Sequence, residues 1–298
     1  MADLDQIDAF LQDCTFPSSG ILHCAVSGGA DSSALLILAS LTGSRVIAYH
    51  VDHGVRPNGS AERDRVSELS DRVNAGFEAL TLELKDGPNF EARARSARFA
   101  ALPQTILTGH TADDQAETIL LHLLRGGGLD ASAGMRPKHH PLLSLRRADT
   151  ERICDLFGWE PVNDPTNADP RFRRNRVRNE VIPLLNEITD RDVVPLLTRA
   201  GKVAENDRDL LDELAEEIDP TDAASLIAAP LPLARRAIRR WLRDEHPPDF
   251  ASVERVLEVA RGEILGTELN GGRSVRRTGG TLRIETLPKG RSKVRDTG

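Results

Sequence analysis

Short apolar runs alternate with longer stretches of helical spacing between residues 20 and 125. The four pairs are, in order, ILHCAV with DSSALLILASL, RVIAYHV with SAERDRVSELSDRVN, ALTLEL with FEARARSARFAAL, and TIL with ADDQAETILLHLLR. Brief β-branched runs are typical of strands, and helices need the longer spacing. Four successive pairs predict an α/β fold with a doubly wound, mostly parallel sheet that has helices on both faces.

The pattern changes after residue 125. Residues 126–147 are glycine-rich and irregular, 148–157 have the spacing of one more short helix, and WEPVNDPTNADP has the composition of a loop. Residues 171–217 have mostly helical spacing, which Pro183 and Pro195 interrupt.

The last hundred residues follow a different plan. Helices are predicted between residues 222 and 261, and the segment TELNGGRSVRRTGGTLRIETL alternates apolar and polar residues around two Gly-Gly pairs. This alternation predicts a small β-ribbon. We therefore expect a first domain over residues 1–200, followed by a helical linker and a small C-terminal domain over 201–298.

Composition narrows the function classes. The 298 residues are 39% hydrophobic, which is enough for two ordinary cores, and 46 acidic against 39 basic side chains give a net charge of -7. No global positive field would attract nucleic acid, so any RNA contact has to use a local basic patch.

The cysteines and the N-terminal segment indicate the cellular compartment of the protein. Cys14, Cys24 and Cys154 are an odd number without a CxxC pair, which argues against a disulfide framework and a zinc site. The segment MADLDQIDAFLQDC is acidic where a signal peptide is basic, and no apolar run approaches the length of a membrane span. We expect a cytoplasmic protein with no membrane association.

The first candidate site is SGGADS, where the first strand ends and a helix begins. Its glycines let the backbone approach an anion, and its amides together with the helix N-terminus suit phosphate. The segment matches neither GxxxxGK[ST] nor GxGxxG. An empty strand-to-helix turn is the alternative interpretation.

The second candidate site follows the second strand, in AYHVDHGVRP. This segment places His50, Asp52, His53 and Arg56 at the carboxyl edge of the predicted sheet, where ligands bind in open parallel sheets. The two histidines could be zinc ligands, but no cysteine partner or HExxH helix accompanies them. Histidines that only hydrogen-bond within a turn remain the alternative.

The third candidate site is TGHTADDQAETILLHLL, after the fourth strand. Helical spacing puts Asp114 and Glu117 three residues apart, and Asp113 and Glu117 four apart, close to His110. Such a group suits Mg²⁺ or an ammonium group. Acids that only complement the dipole of a helix start are the alternative.

The fourth candidate is the segment RFRRNRVRNE, which holds five arginines within an acidic protein. The forked arginine side chain suits phosphate oxygens, so we expect phosphate contact here. A solvated helix face is the alternative.

Taken together these segments resemble a known family. SGGADS, VDHGVR, EARARSARF, TGHTADDQAETILLHLLRGGG, the Met135 loop with PLLSLRR, and DPTNADPRFRRNRVRNEVIPLL are similar to the successive motifs of bacterial tRNA(Ile)-lysidine synthetases, over roughly residues 20–187. SGGxDS alone marks the wider PP-loop ATP pyrophosphatase superfamily. The terminal LNGGRSVRRTGGTLRI is more loosely similar to the small tRNA-contacting domain of that family.

The resemblance implies an ATP-dependent ligase. Members join lysine to C2 of the wobble cytidine, position 34, of the isoleucine tRNA with a CAU anticodon, through an adenylated cytidine and with release of AMP and pyrophosphate. The implied partners are ATP with Mg²⁺, L-lysine and that tRNA, and a homodimer is one expected assembly.

The resemblance also implies residue roles. The residues implied for ATP binding are Ser27, Gly28, Gly29, Ala30, Asp31 and Ser32, with Asp31 also expected to be catalytic. Arg95, Arg98 or His110 would stabilise charge on the phosphoryl oxygens. Asp113, Asp114 and Glu117 would bind lysine or Mg²⁺, and Arg174, Arg176 and Arg178 would hold the tRNA.

Two rival functions remain at this point. A tRNA thiolase of the PP-loop superfamily also adenylates a base, but it needs cysteines to carry sulfur, and Cys24 lies in a strand predicted to be buried. A non-catalytic nucleotide-binding protein would have no use for the acid pair and the arginine segment together.

Overall fold

The computed structural model describes residues 4–52, 59–81, 101–163, 169–244 and 248–286. The chain divides into two compact units, Met1–Glu205 and Asn206–Gly298. This division falls inside a long helix, a few residues after the boundary expected from the sequence.

The elements of the first unit follow the predicted alternation. In chain order they are α1 (Leu4–Gln12), β1 (Ile21–Ala25), α2 (Ala30–Leu41), β2 (Arg45–Asp52), α3 (Gly59–Arg72), β3 (Gly76–Thr81), α4 (Ala112–Leu123), α5 (Leu129–Ser132), α6 (Arg147–Phe157), α7 (Arg173–Arg176), α8 (Ile182–Thr189) and α9 (Val194–Glu216), the last of which crosses into the second unit.

The three described strands of the first unit are parallel, in the order β1-β2-β3. On the other side of β1, Leu107 forms a parallel bridge with Cys24, and its amide donates to the His23 carbonyl at 2.7 Å. The predicted fourth strand is therefore reduced to this bridge. Because β1 has neighbours on both sides, its carboxyl end is the point where the connections diverge, the usual ligand position in such sheets.

The helix after β1 is buried on all sides. Residues 32 to 39 of α2 are all buried, and their apolar side chains pack against the sheet on one side and against α1 and α6 on the other. A helix that is apolar around its whole circumference belongs inside a core. The start of α2 is thus fixed on the sheet, which holds the preceding loop in place.

The helical stretch expected to break near Pro183 is continuous but widened. Val177–Val181 form a π-helical turn between α7 and α8, and the Ile182 amide bonds the Val177 carbonyl five residues back. Pro183 has no amide hydrogen for the carbonyl four residues earlier, and its ring crowds that carbonyl. The wider turn accommodates the proline without ending the helix.

The second unit confirms the predicted helices and ribbon. It contains α10 (Ala223–Ala228), α11 (Leu231–Leu242), α12 (Phe250–Arg261), β4 (Gly266–Leu269), β5 (Arg273–Thr278) and β6 (Thr281–Thr286), with the three strands antiparallel. Gly279 and Gly280 join β5 to β6 with φ of 58° and 86°. Two consecutive positive φ values define the hairpin turn that Gly-Gly favours.

No helix within the described ranges has both the length and the apolar character needed to span a membrane.

Candidate active site

The SGGADS loop is closed by its own serines. The Ser27 amide donates to Ser32 Oγ at 3.2 Å, Ser32 Oγ donates to the Gly29 carbonyl at 3.0 Å, and Ser33 Oγ donates to the Gly28 carbonyl at 3.2 Å. Gly28 has a φ of 95°, which favours glycine. The loop thus turns tightly from β1 into α2, whose N-terminus follows it directly.

Two neighbouring segments hold this loop from opposite directions. The Val162 amide donates to the Gly28 carbonyl at 2.9 Å. On the other segment, a Cβ on Gly109 would lie 2.6 Å from the carbonyl carbon of Asp31, so no side chain fits at position 109. A Cβ on Gly29, in contrast, would have no neighbour closer than 3.9 Å. The loop is therefore packed at Gly28 and Gly109 and open at Gly29.

Asp31 lies in the first turn of α2 and faces α6. Thr150 Oγ1 donates to its Oδ1 at 2.5 Å, and Arg147 Nε lies 3.7 Å from its Oδ2. Burial raises the pKa of Asp31, because the charged form loses water, although the Thr150 hydrogen bond acts in the opposite direction. The carboxylate is thus positioned by α6, an element that sequence motifs did not connect with it.

Asp114 and Glu117 form a buried carboxylate pair on α4. Glu117 has no exposed side-chain surface; its Oε1 lies 2.6 Å from Arg178 Nε, and its Oε2 lies 2.6 Å from Arg174 Nε. Asp114 Oδ1 lies 3.0 Å from Arg174 Nη2, while its Oδ2 accepts the Thr111 amide in a capping box. The pair predicted from helical spacing therefore exists. Arg174 and Arg178 of the segment around Arg174, Arg176 and Arg178, called the RNR segment below, contact it.

These contacts determine the charge of Asp114. Burial alone would raise its pKa, but the positive charge of Arg174 and the hydrogen bond from the Thr111 amide outweigh burial, so the pKa is lowered. Asp114 is therefore ionised at neutral pH.

Arg147 joins the loop to the acid pair. Its guanidinium lies 3.7 Å from Asp31, 3.3 Å from Asp114 and 3.5 Å from Glu117. One side chain at the start of α6 thus spans the carboxylates of α2 and α4. The SGGADS loop and the acid pair consequently lie at one site, called the pocket below.

Asp113 has a different environment from its neighbour Asp114. Arg146 forms a two-pronged contact with it, at 3.1 Å from Nε and 3.0 Å from Nη2, and the Arg147 amide donates at 2.8 Å. Arg146 also pairs with Asp192, just before α9. Asp113 thus fastens α4 to α6; its guanidinium partner is Arg146, and Arg147, which also contacts Glu117, reaches Asp113 through its backbone amide.

The three arginines of the RNR segment point in two directions. Arg174 and Arg178, four residues apart, face the buried acids. Arg176 is 61% exposed and pairs with Glu180 on the same helical face. The five arginines expected to act as one patch are therefore divided between the pocket and the surface.

Two histidines, His110 and His140, contact Thr108, which directly follows the position of the predicted fourth strand. Thr108 Oγ1 lies 2.6 Å from Nδ1 of both His110 and His140, and the two rings meet edge to face at 4.8 Å. His50 is buried, and its Nδ1 lies 2.9 Å from the Val26 carbonyl, so it contacts the backbone from within β2 and not from a turn. The described residues contain no group of three His, Cys, Asp or Glu side chains that could hold a metal.

Four predicted residues, Arg95, Arg98, His53 and Arg56, lie outside the described residues. Asp52 ends β2.

Mg²⁺ does not fit the acid pair in this arrangement. The oxygens of Asp114 and Glu117 accept from guanidinium groups or from Thr111, and three arginines surround the pair. A divalent cation would have to replace these positive charges. Use of Mg²⁺ stays a prediction that this pair does not support.

The comparisons with known proteins agree with the motifs. The PP-loop domain family matches residues 3–185. The chain is 38% identical over 271 residues to the tRNA(Ile)-lysidine synthase of Nocardia farcinica, covering 83% of this chain and 85% of that protein. The chain belongs to the tRNA(Ile)-lysidine synthase family. It is also 39% identical over 234 residues to the tRNA(Ile)-lysidine synthase of Mycolicibacterium paratuberculosis, covering 73% of each chain.

Membership in this family confirms a PP-loop enzyme of tRNA modification, and the PP-loop domain implies the use of ATP. Among solved structures, the U34-tRNA thiolase NcsA of Methanococcus maripaludis, with its [4Fe-4S] cluster, has a TM-score of 0.52 at 13% identity, covering 68% of this chain and 80% of that chain. At that identity the likeness shows the fold alone.

The cysteines of this chain differ from what sulfur transfer needs. Burial raises the pKa of Cys24 and of Cys154 to about 12. Thiolates are the reactive form of cysteine, and both residues stay protonated at neutral pH. The two thiols are therefore inert members of the core.

Motif reasoning missed the contribution of α6. Arg146, Arg147 and Thr150 contact four carboxylates of the site, namely Asp31, Asp113, Asp114 and Glu117. The helix itself was predicted and PLLSLRR was noted as a motif, but nothing local indicates which distant acids its first turn meets. Only the tertiary packing of α6 on α2 supplies that information.

Proposed function

We propose that this enzyme joins the side-chain amine of lysine to C2 of the cytidine at position 34 of isoleucine tRNA with a CAU anticodon. ATP would first adenylate the cytidine and release pyrophosphate, and the lysine amine would then displace AMP. The chain's relatives bear the name tRNA(Ile)-lysidine synthase. The reaction would take place in the cytoplasm.

One observation carries the proposal. Arg147 contacts Asp31 of the SGGADS loop together with Asp114 and Glu117. A reaction that adenylates a base oxygen and then adds an amine needs the α-phosphate within reach of O2 and the amine within reach of the adjacent C2. A protein that only binds nucleotide would have no need for a buried acid pair at the same position.

The SGGADS loop would hold ATP. Ser27, Gly28, Gly29, Ala30, Asp31 and Ser32 surround the N-terminus of α2, and the open face at Gly29 allows a phosphate to approach the backbone. His110, which follows the glycine that packs on Asp31, would stabilise charge on the phosphoryl oxygens.

Asp114 and Glu117 would bind the lysine ammonium. The amine has an unperturbed pKa of about 10.4, so it arrives as a cation and must lose a proton before it attacks. Arg174 and Arg178 now contact these acids. Lysine would therefore share or replace guanidinium contacts at the pair, and Asp113 would support the pair from behind.

Arg176 would contact the tRNA from the exposed side of the RNR segment, while Arg174 and Arg178 would reach the anticodon or the activated base from inside the pocket. Arg176 is exposed and pairs with the surface residue Glu180. Its forked guanidinium group can exchange this carboxylate for a phosphate at a small cost in free energy.

The test is AMP formation from ATP, lysine and bulk tRNA, followed by mass analysis of the tRNA nucleosides. We expect AMP that depends on both lysine and tRNA, and a cytidine whose mass has increased by lysine minus water. AMP release without lysine and tRNA, or unmodified cytidine after full turnover, would contradict the proposal.

A matched pair of variants links that activity to the loop. Asp31→Ala should abolish AMP formation and keep tRNA binding nearly intact, because Asp31 serves the nucleotide. Asp64→Ala, which alters an exposed acid on α3, should have no effect on either. Normal AMP formation by Asp31→Ala would remove the loop from the reaction.

A further inference from the structure

Thr108 lies between two imidazole rings. Its Oγ1 is 2.6 Å from Nδ1 of His110 and 2.6 Å from Nδ1 of His140, and the ring centroids are 4.8 Å apart at an interplanar angle of 84°. All three side chains are half-buried. Hydrogen bonds of this length that are screened from water fix the orientation of the groups they join.

The two histidines reach Thr108 from separate segments. His110 follows Gly109, which packs on the backbone of Asp31 and Ser32. His140 follows the 3₁₀ turn Pro137–His139, where the carbonyl of His139 accepts the Thr108 amide at 2.9 Å. His110 thus borders the nucleotide loop, and His140 lies behind it with Thr108 in between.

The position of His110 is also close to the acid pair. When protonated, His110 is among the groups that lower the pKa of Asp114 against the effect of burial, although Arg174 contributes more. His110 therefore belongs to the pocket, and a change of its tautomer changes a hydrogen-bonding group there.

A single hydroxyl proton couples the two rings. The His139 carbonyl, at 3.5 Å, is a much more distant acceptor for the Thr108 hydroxyl than either Nδ1 at 2.6 Å, so when both imidazoles are neutral Thr108 Oγ1 donates to one Nδ1 and accepts from the N–H of the other. If His140 Nδ1–H donates to Thr108, Thr108 donates to His110, and His110 carries its proton on Nε2. If His110 Nδ1–H donates instead, Nε2 of His110 becomes an acceptor. The protonation of His140 and the tautomer of His110 are thus linked.

We propose that His140 is a positioning residue which, through Thr108, holds His110 as the Nε2–H tautomer. In this form His110 presents a hydrogen-bond donor, as a group must that stabilises negative charge on a phosphoryl oxygen. The choice of this tautomer rests on the proposed function, whereas the coupling of the two rings through Thr108 rests on the contacts alone.

The direct test is ¹⁵N NMR of the full-length protein with labelled histidine, without substrates. The shifts of the two ring nitrogens identify the protonated one, and His110→Ala and His140→Ala assign the signals. We expect the Nε2–H form of His110 in the wild type and in Thr108→Ser, and a mixture of tautomers in Thr108→Val. An Nδ1–H tautomer in the wild type, or the same tautomer in all three proteins, would overturn the proposal.

The kinetic test separates positioning from folding. Thr108→Val should lower kcat for AMP formation about 10- to 100-fold with little change in KM for ATP or lysine, and Thr108→Ser should recover most of the loss. His140→Leu should act like Thr108→Val. The matched control His139→Leu alters the neighbouring ring in the same turn and should keep kcat.

A double variant decides whether His140 acts through His110. Adding His140→Leu to His110→Ala should cause no further loss of kcat, since the residue it positions is already absent. A further loss of the same size as in the wild-type background would show a separate structural role and overturn the proposal. If the NMR result holds but His110→Ala keeps full activity, the tautomer assignment stands and the proposed role of His110 in the reaction fails.

Discussion

Arg178 places its Nε 2.6 Å from Oε1 of Glu117, a carboxylate with no exposed side-chain surface. Arg174 contacts the other oxygen of the same carboxylate at 2.6 Å. Breaking a buried ion pair on one side leaves an uncompensated charge, which costs about 3 to 5 kcal/mol. These arginines therefore stabilise the pocket before any substrate enters it.

Replacing Glu117 by glutamine should affect lysine far more than ATP. The change keeps the shape of the side chain and removes the charge that faces an ammonium group, so we expect KM for lysine to rise about tenfold or more, with KM for ATP changing by about twofold at most. Steady-state AMP formation at varied lysine and varied ATP measures both. Asp64→Asn is the control, because Asp64 is an exposed acid of α3 that pairs with Arg63, and it should keep KM for lysine. A rise in KM for ATP alone would reassign the acids to the nucleotide or its metal.

Arg176 and Arg178 should differ although they are two residues apart. Arg176→Ala should weaken tRNA binding and reduce the slope of log K against log salt by about 0.7, the amount for one phosphate contact on single-stranded RNA. Arg178→Ala should instead lower the free energy of unfolding by about 1.5 to 3 kcal/mol, as for one hydrogen bond to a charged group, because Glu117 loses one guanidinium partner and keeps Arg174 and Arg147. Filter binding at several salt concentrations and urea unfolding distinguish the two effects. If Arg176→Ala leaves the slope unchanged, that arginine belongs to a solvated helix face.

Periodicity could have predicted this difference between the arginines. Positions 174 and 178 are four apart and share a face with Val177, while position 176 lies on the other side of the helix. An interpretation of the arginines as one cluster does not distinguish these two faces of the helix. The partners of Arg174 and Arg178 on α4, in contrast, depend on packing between distant segments, and no local pattern encodes them.

The sheet and the SGGADS loop show the same limit of prediction from local sequence patterns. Apolar runs and glycines identified β1, α2 and the turn between them, since these are local properties of the chain. Where the fourth strand was predicted, the described residues form a single bridge between Leu107 and Cys24. The chain leaves the sheet at Thr108, which contacts His140. The contacts of α6 with Asp31 and Asp113 likewise require that α6 be packed on α2.

Replacement of two glycines of the pocket by alanine should have different effects, on stability at one position and on ATP affinity at the other. Gly109→Ala would force a Cβ against the backbone of Asp31, and we expect a loss of about 1 to 3 kcal/mol of stability. Gly29→Ala has space for its Cβ and an extended φ of -70°, so it should fold normally and lose ATP affinity, because the methyl group stands where phosphate approaches the backbone. Thermal unfolding and equilibrium ATP binding test the pair. Normal ATP binding by a folded Gly29→Ala protein would place the phosphates elsewhere.

Asp113 should give the pocket a defined dependence on pH. Burial acts to raise the pKa of this carboxyl, but the hydrogen bonds from Arg146 and from the Arg147 amide outweigh it, so the pKa is lowered in the folded protein. The unfolded value is about 3.9. A lowered folded pKa contributes stability that is fully present above the unfolded pKa and is lost as the pH falls through the folded pKa. Asp113→Asn should therefore cost about 1 to 2 kcal/mol at pH 7, where the charged hydrogen bonds exist, and progressively less below about pH 4.

Urea unfolding of the wild type and Asp113→Asn between pH 3 and 7 measures this difference. Asp64→Asn serves as the control, because the exposed pair of Asp64 with Arg63 should contribute little at any pH. A difference between wild type and Asp113→Asn that stays constant down to pH 3 would mean that Asp113 stabilises α4 and α6 through its shape and not through its charge. A difference that shrinks with acid would locate the electrostatic link between the two helices at this carboxylate, next to the acids proposed to bind lysine.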